Sequence, residues 1–290
     1  MLLQLFAACR AGDVDEARRL LAASLQLATA ADEDGITALL WAASRCCAPL
    51  IELLLQAGAR PLQQDEEGYT PLALAAASAK SAADAAAVRL LLEAAPAAAL
   101  VPDDDGALPL HQAAWGAHPT VVRLLLQAAP EVALRPDNEG QHPINEAVRR
   151  LAWATTVEQL SRALEAVRCL LQAGGVPLLL AALTRAPHER TQPLYADLAG
   201  RLPLTAEQWA QVPAPCAGLL RALPAVLARS EAEAAALVAH LPADEQQRLQ
   251  QRLTAAAGAL ARPTGRSGAQ LPPDVRRRVL ADWLAHECTA

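Results

Sequence analysis

The sequence predicts an all-α protein built from stacked helical repeats. The chain has 290 residues, of which 53% are hydrophobic but only 3% aromatic, and alanine supplies roughly a quarter of it. Alanine and leucine are strong helix formers, whereas the aromatic and β-branched residues that favour strands are scarce. A segment also recurs four times, with 33, 38 and 34 residues between the glycines that open its copies: Gly35, Gly68, Gly106 and Gly140. A period of this length is typical of a helical solenoid.

Charge and composition exclude several classes of protein. The net charge of −6 and the isoelectric point near 5.6 argue against a surface that binds nucleic acid, which requires a basic excess. We expect no membrane span, because no apolar run reaches about eighteen residues. We also expect reduced cysteines and a cytoplasmic location, with a nuclear one possible. The six cysteines form no Cys-x-x-Cys pair, and the N-terminus lacks the basic segment of a secretory signal.

Each copy of the recurring segment predicts a pair of helices. Pro71, Pro109 and Pro143 stand where the first helix should begin, a position at which the missing N–H costs nothing. Thr37 and Thr70 precede that position and are predicted N-caps, whereas their counterpart Leu108 is not. A leucine cluster ends the second helical stretch of each copy and is expected to be buried between neighbouring units. The glycine before each first helix predicts a turn with positive φ.

The best-formed copy, from Gly106 to Ala129, contains Leu-Pro-Leu-His-x-Ala-Ala and then Thr-Val-Val-Arg-Leu-Leu-Leu. This copy resembles the ankyrin repeat. The resemblance implies an array over residues 1–174, in which the first repeat lacks the Thr-Pro start and caps the stack. The third repeat carries about four extra residues around Ser78–Ala86, and the fifth carries an insertion, Arg149–Arg162, that should extend its first helix or form a small excursion. The predicted repeats cover about 2–34, 35–67, 68–105, 106–139 and 140–174.

After the array, we predict a helical C-terminal bundle over 175–260, a linker at 261–270 and a terminal amphipathic helix within 271–290. The helix Leu271–Leu284 weakly resembles the opening helix of F-box and SOCS-box segments, which recruit subunits of ubiquitin ligases. The alternative is that this helix docks on the bundle. An enzyme with its site in 176–270 is a further alternative.

No motif predicts catalysis, a cofactor or a metal site. The chain has no Gly-x-Gly-x-x-Gly, no phosphate-binding loop and no Gly-x-Ser-x-Gly, and none of its six histidines has a second ligand at helical spacing. In the ankyrin pattern, the histidine that corresponds to His111 is structural and forms hydrogen bonds around the turn.

Acidic residues precede each of the four repeat glycines and fall on the turns, or fingers, that join the repeats. An acid there can hold the turn, but two or three at each of four tips would also attract a basic partner segment. The candidate contact acids are Asp32, Glu33, Asp65, Glu66, Asp103, Asp104 and Asp137.

The resemblance places certain first-helix residues in the concave groove of the array. Two of them are tryptophans, in a chain with five, and aromatic side chains in a groove are typical anchors of protein interfaces. The alternative is that both tryptophans pack on neighbouring helices or on the inserted segments. The sequence thus predicts a non-catalytic scaffold that binds another protein, with a ubiquitin-ligase adaptor as the alternative and the oligomeric state open. The predicted groove residues are Trp41, Arg45, Tyr69, Leu74, Gln112, Trp115 and Gln141.

Overall fold

The computed structural model describes residues 1–81, 83–183, 205, 208, 222–239 and 241–260. The regular elements of these residues are helices, as the composition predicts. The chain divides by its internal contacts into two compact units, Met1–Gly174 and Gly175–Ala290. No helix among the described residues is long and apolar enough to span a membrane.

The first unit is a row of helix pairs. Short 3-10 turns at Leu25–Ala28, Pro96–Leu100 and Pro130–Leu134 follow the second helices of the first, third and fourth pairs. The pairs are α1 (Leu2–Ala11) with α2 (Val14–Ala23), α3 (Ala38–Ser44) with α4 (Ala48–Gln56), α5 (Pro71–Ser78) with α6 (Ala85–Ala94), α7 (Pro109–Gly116) with α8 (Pro119–Ala128), and α9 (Pro143–Ala152) with α10, which begins at Val157 and ends at Leu183.

Side-chain caps start α3, α5, α7 and α9, as the sequence predicts for the first two of these helices. The Thr37 hydroxyl accepts a hydrogen bond from the Leu40 N–H at 3.3 Å, and the Thr70 hydroxyl accepts one from Ala73 at 3.2 Å. Where no threonine is present, a side chain inside the first turn reaches back instead. His111 Nδ1 accepts the N–H of Leu108 at 3.0 Å, which satisfies one of the donors that a helix start leaves unpaired.

Consecutive first helices pack on one another (α3 on α5, α5 on α7, α7 on α9), as do the second helices α4, α6 and α8. The paired alanines of the first helices, such as Ala113 and Ala114, are fully buried and allow this close approach. Leu54, Leu91 and Leu125 from the leucine clusters are also fully buried, and each such side chain stabilises the fold by roughly 1.5–3 kcal/mol.

Hydrogen bonds between finger tips join each repeat to the next. The N–H of Glu66 donates to the Asp34 carbonyl at 3.1 Å, and the Asn138 N–H donates to the Asp105 carbonyl at 3.0 Å. Gly106, with φ of +76°, forms the predicted left-handed turn behind this second contact. The fingers are therefore held in a fixed register, which also fixes the spacing of the side chains they carry.

The two inserted segments contact each other. The third-repeat connection is held by Asp84, whose carboxylate accepts the N–H groups of Lys80 and Ser81 at 2.7 and 2.9 Å. The fifth-repeat insertion extends α9 to Ala152 and, after a short break, begins α10. The Arg162 guanidinium in α10 donates to the Lys80 carbonyl at 3.0 Å. The third repeat is thereby joined directly to the fifth.

His118 is buried beside these insertions. Its side chain is 5% exposed, and its Nδ1 has no hydrogen-bond partner among the described residues. Burial lowers the pKa of His118, the charge of Arg162 lowers it further, and Asp84 acts in the opposite direction. The imidazole is therefore neutral in the folded chain near pH 7.

This burial predicts a loss of stability in mild acid. Between about pH 7 and about pH 5.5 the unfolded chain takes up more protons at His118, whose ordinary pKa is about 6.5, than the folded chain, in which the pKa is lowered. The free energy of unfolding should therefore fall as the pH falls, and urea unfolding at the two pH values measures the change. His118→Gln should show a smaller fall, with burial of His111 accounting for part of the remainder. Equal falls in both proteins would contradict the role given to His118.

Gly175, the first residue of the second unit, has non-helical dihedral angles (φ 57°, ψ −146°), and a helical stretch follows it to Leu183. Three further helices are described: α11 (Leu223–Arg229), α12 (Glu231–Ala239) and α13 (Ala243–Leu260). These helices lie within residues 175–260, which the sequence predicts to be helical. The predicted linker at 261–270 and the helix Leu271–Leu284 lie outside the described residues, so the adaptor alternative stays a prediction, as does the enzyme alternative over 176–270.

Candidate functional site

A cavity of about 360 Å³ lies between the fourth and fifth helix pairs. Helices α7 and α9 supply one part of its lining, and the two finger tips that precede them supply the rest. The lining contains four carboxylates and one guanidinium. Its residues are Asp105, Ala107, His111, Gln112, Trp115, Asp137, Asn138, Glu139, Glu146 and Arg149.

Glu146 is an acid of the lining that forms an ion pair within the cavity. Its side chain is 15% exposed and lies 3.2 Å from the guanidinium of Arg149. Burial raises the pKa of Glu146; Arg149 lowers it, while the nearby carboxylates of Asp137 and Glu139 raise it further. One guanidinium thus leaves the negative charge of this part of the cavity incompletely balanced.

The polar groups around Glu146 are held by the backbone. Asp137 Oδ1 accepts the N–H groups of Glu139 and Gln141 at 2.9 and 2.7 Å. His111 uses both ring nitrogens, since Nδ1 accepts from Leu108 and Nε2 lies 3.1 Å from the Gln141 carbonyl oxygen. Burial lowers the pKa of His111, so its ring is neutral near pH 7. His111 is therefore structural, as the resemblance implies.

Trp115 forms an aromatic wall of the cavity. Its ring is half-buried and contacts Trp153 of the inserted segment edge to face, with centroids 5.5 Å apart and planes at 74°. Trp153 is 63% exposed. Trp115 therefore packs on the inserted segment and also lines an open cavity, and its role as an anchor for a partner stays a prediction.

Trp41, the other predicted anchor, does not line this cavity. It is half-buried in α3, and the Arg10 guanidinium carbon lies 5.0 Å from its ring centroid, which is a cation–π contact. Arg45, at the end of α3, is exposed, and Leu74 in α5 is half-buried. These residues belong to the repeats before the cavity.

The structure divides the finger acids into two groups. The first acid of each tip holds its own turn: Asp32 Oδ1 accepts the Ile36 N–H at 2.8 Å, and Asp65 Oδ1 accepts the Tyr69 N–H at 2.8 Å. Burial raises the pKa of Tyr69, and the carboxylates around it raise it further. The second acids of the first three tips, Glu33, Glu66 and Asp104, are exposed.

Asp103 differs most from its predicted role as a contact residue. It is 8% exposed, and its carboxylate accepts hydrogen bonds from the Ala107 N–H at 2.8 Å and from the Gln112 side-chain amide at 3.1 Å. Burial raises its pKa. Asp103 therefore positions the finger and the Gln112 side chain, and little of it is accessible to a partner.

Of the predicted contact residues, the cavity brings together Gln112, Trp115 and Asp137, while Gln141 reaches it through the bond from its carbonyl to His111. Four further lining residues are not among the predicted contact residues: Asp105, Glu139, Glu146 and Arg149. Glu146 holds in the fifth repeat the position that Gln112 holds in the fourth, and the resemblance places this position in the groove.

The described cysteines are free thiols, and three of the four are buried. Burial raises the pKa of Cys9 to about 12 and that of Cys46 to about 11, so these thiols are not activated nucleophiles. Among the described residues, no group of three or more histidine, cysteine or acidic side chains could hold a metal ion.

The stacked helix pairs and their fingers define a helical-repeat protein. Residues 48–136, from α4 to just beyond the last 3-10 turn, match the family model described as ankyrin repeats (3 copies). The predicted resemblance to the ankyrin repeat is confirmed over this stretch. No curated protein sequence matches the chain. Ankyrin repeats generally mediate protein–protein interaction and are typically non-catalytic.

Proposed function

We propose that the array binds a partner protein through its groove and fingers, with the cavity between α7 and α9 as the centre of the contact. The observation that carries this proposal is the half-buried Trp115 standing beside four carboxylates in one cavity. An aromatic anchor in a partly enclosed pocket is where interfaces concentrate their binding energy. The polar groups around it supply specificity.

The charges favour a partner with a basic segment. Four carboxylates and one guanidinium line the cavity, and exposed acids such as Glu33, Glu66 and Asp104 extend the negative field along the fingers. Complementary charge raises the rate of association and excludes acidic competitors. Binding should weaken as the salt concentration rises, because the exposed part of this field is screened.

The cavity supports binding better than turnover. A nucleophile needs an adjacent general base with a free lone pair. The one histidine of the lining, His111, has both ring nitrogens engaged in structural contacts. The proposed role of this site is therefore recognition.

Trp41→Ala and Trp115→Ala test the proposal. Partners that wild-type protein retains in affinity purification from the native cell should be lost from the double variant, because it removes both aromatic anchors. Circular dichroism should show unchanged helicity. The matched control is Leu25→Ala, which removes a 65% exposed apolar side chain on the first 3-10 turn and should retain the same partners. Retention of those partners by the double tryptophan variant would refute the groove as the binding surface.

A further inference from the structure

We infer that the cavity between α7 and α9 is a pocket for one arginine side chain of the partner, with Glu146 as the counter-ion and Trp115 as the stacking surface. This inference rests on the proposed function and names the chemistry that the site recognises. It is carried by three features of the cavity: its charge, its aromatic wall and its size.

The charge of the cavity calls for a further cation. Glu146 is largely enclosed, and its ion-pair partner among the described residues is Arg149, at 3.2 Å. Asp137 directs one carboxylate oxygen at backbone N–H groups, which holds the acid in place at the edge of the cavity. Asp105 and Glu139 add two more carboxylates to the lining, and neutral His111 adds no positive charge. A partner guanidinium would therefore enter a site whose acids outnumber its bases.

The aromatic wall suits a planar cation. The edge-to-face contact with Trp153 occupies at most one face of the Trp115 ring and fixes the ring's orientation. A guanidinium can stack on an indole and still direct its N–H fork at a carboxylate, which an ammonium cannot do. The chain already forms such a contact, since Arg10 lies over the Trp41 ring at 5.0 Å.

The size of the cavity limits what can enter it. At about 360 Å³, it lies at the small end of the range for ligand pockets. A helix is about 10–12 Å across with its side chains and is too broad for such a space. One long side chain from an extended segment is the occupant that combines this size with a positive charge.

Arg149 competes with the incoming arginine. It contacts Glu146 from within the cavity lining, but half of its side chain is exposed. A partner guanidinium must share Glu146 with it or displace it. Removal of Glu146 and removal of Arg149 should therefore change arginine binding in opposite directions.

The test uses the full chain and three small probes: the N-acetyl amides of arginine, lysine and citrulline. Titration is followed by NMR at the tryptophan indole N–H signals, with that of Trp115 assigned from Trp115→Phe. The arginine probe should shift the Trp115 signal, the lysine probe should bind at least about fivefold more weakly, and citrulline, which is uncharged, should not bind. Glu146→Gln should weaken arginine binding about tenfold, since one charge-assisted contact is lost. Arg149→Met should strengthen it severalfold.

The matched controls are Glu93→Gln and Arg89→Met, which change the same charges at exposed positions of α6 and should leave arginine binding within about twofold. Equal binding of arginine and lysine, or equal weakening by Glu93→Gln and Glu146→Gln, would overturn the inference. Either result would show that cations are attracted by the general negative charge of the array and not by a specific pocket. Absence of arginine binding, together with loss of partners from the double tryptophan variant, would overturn the pocket and leave the proposed function standing. Arginine binding at Trp115, together with retention of partners by that variant, would refute the groove as the partner surface and would leave an arginine site that the partner does not use.

Discussion

Gly106→Ala should lower the free energy of unfolding of the array by about 3 kcal/mol, from left-handed backbone strain and steric overlap together. The backbone at Gly106 has φ of +76°, a conformation that alanine adopts at a cost. An added Cβ would also lie 2.5 Å from Asn138 Oδ1 and 2.9 Å from the backbone nitrogen of Asn138. Asn138 cannot move aside freely, because its N–H and its side-chain amide donate to the Asp105 and Asp104 carbonyls.

Gly12→Ala is the matched control for this change. Gly12 has nearly the same φ, +79°, but an added Cβ there would meet no atom within 4 Å. Its cost should be about 1 kcal/mol, the part due to the backbone alone. Urea unfolding followed by circular dichroism measures both variants. Equal losses would show that the contact between fingers does not constrain Gly106.

His111→Ala should lower the free energy of unfolding by about 2–3 kcal/mol, because a buried donor is left without an acceptor and a second polar contact is lost. His111 is 2% exposed. Its Nδ1 accepts the Leu108 N–H in its own repeat, and its Nε2 meets the Gln141 carbonyl in the next. The alanine variant therefore weakens a helix start and a contact between repeats together.

His111→Asn separates these two effects. In the fifth repeat, asparagine already does the capping, since Asn145 Oδ1 accepts the His142 N–H at 2.8 Å. An asparagine at 111 should keep the cap but is too short to reach Gln141, so it should lose about half as much stability as alanine. The same urea titration measures it. If His111→Asn and His111→Ala lose equal stability, the cap at Leu108 contributes nothing measurable.

The helices of the array could be predicted because their signals are local. A threonine followed by proline marks the start of a first helix, and the leucine clusters mark the second helices. Thr70 caps α5 and Pro71 begins it, as the sequence predicts. The turn glycines also have the predicted positive φ, because glycine has no Cβ and adopts this conformation without steric cost.

The cavity could be predicted only in part, because it depends on how neighbouring repeats meet. Asp103 belongs to the same pattern as Asp32 and Asp65, yet it is buried where Gln112 covers it. The contact between Trp115 and Trp153 depends on the path that the chain takes after α9, for which the sequence has no local signal. Such details follow from the register of the stack, which the finger contacts fix.

The bond from Arg162 to the Lys80 carbonyl has a mechanical consequence. In a repeat array, each unit contacts only its neighbours. Small changes in angle between neighbouring repeats therefore add up to a large bend along the array. Here the hydrogen bond joins the third repeat to the fifth across the fourth. Bending that separates the third repeat from the fifth would stretch this bond. We therefore expect residues 68–174 to bend less readily than the repeats before them. A partner that docks between α7 and α9 would then bind repeats whose relative orientation is already fixed. Association would cost less conformational entropy for that reason.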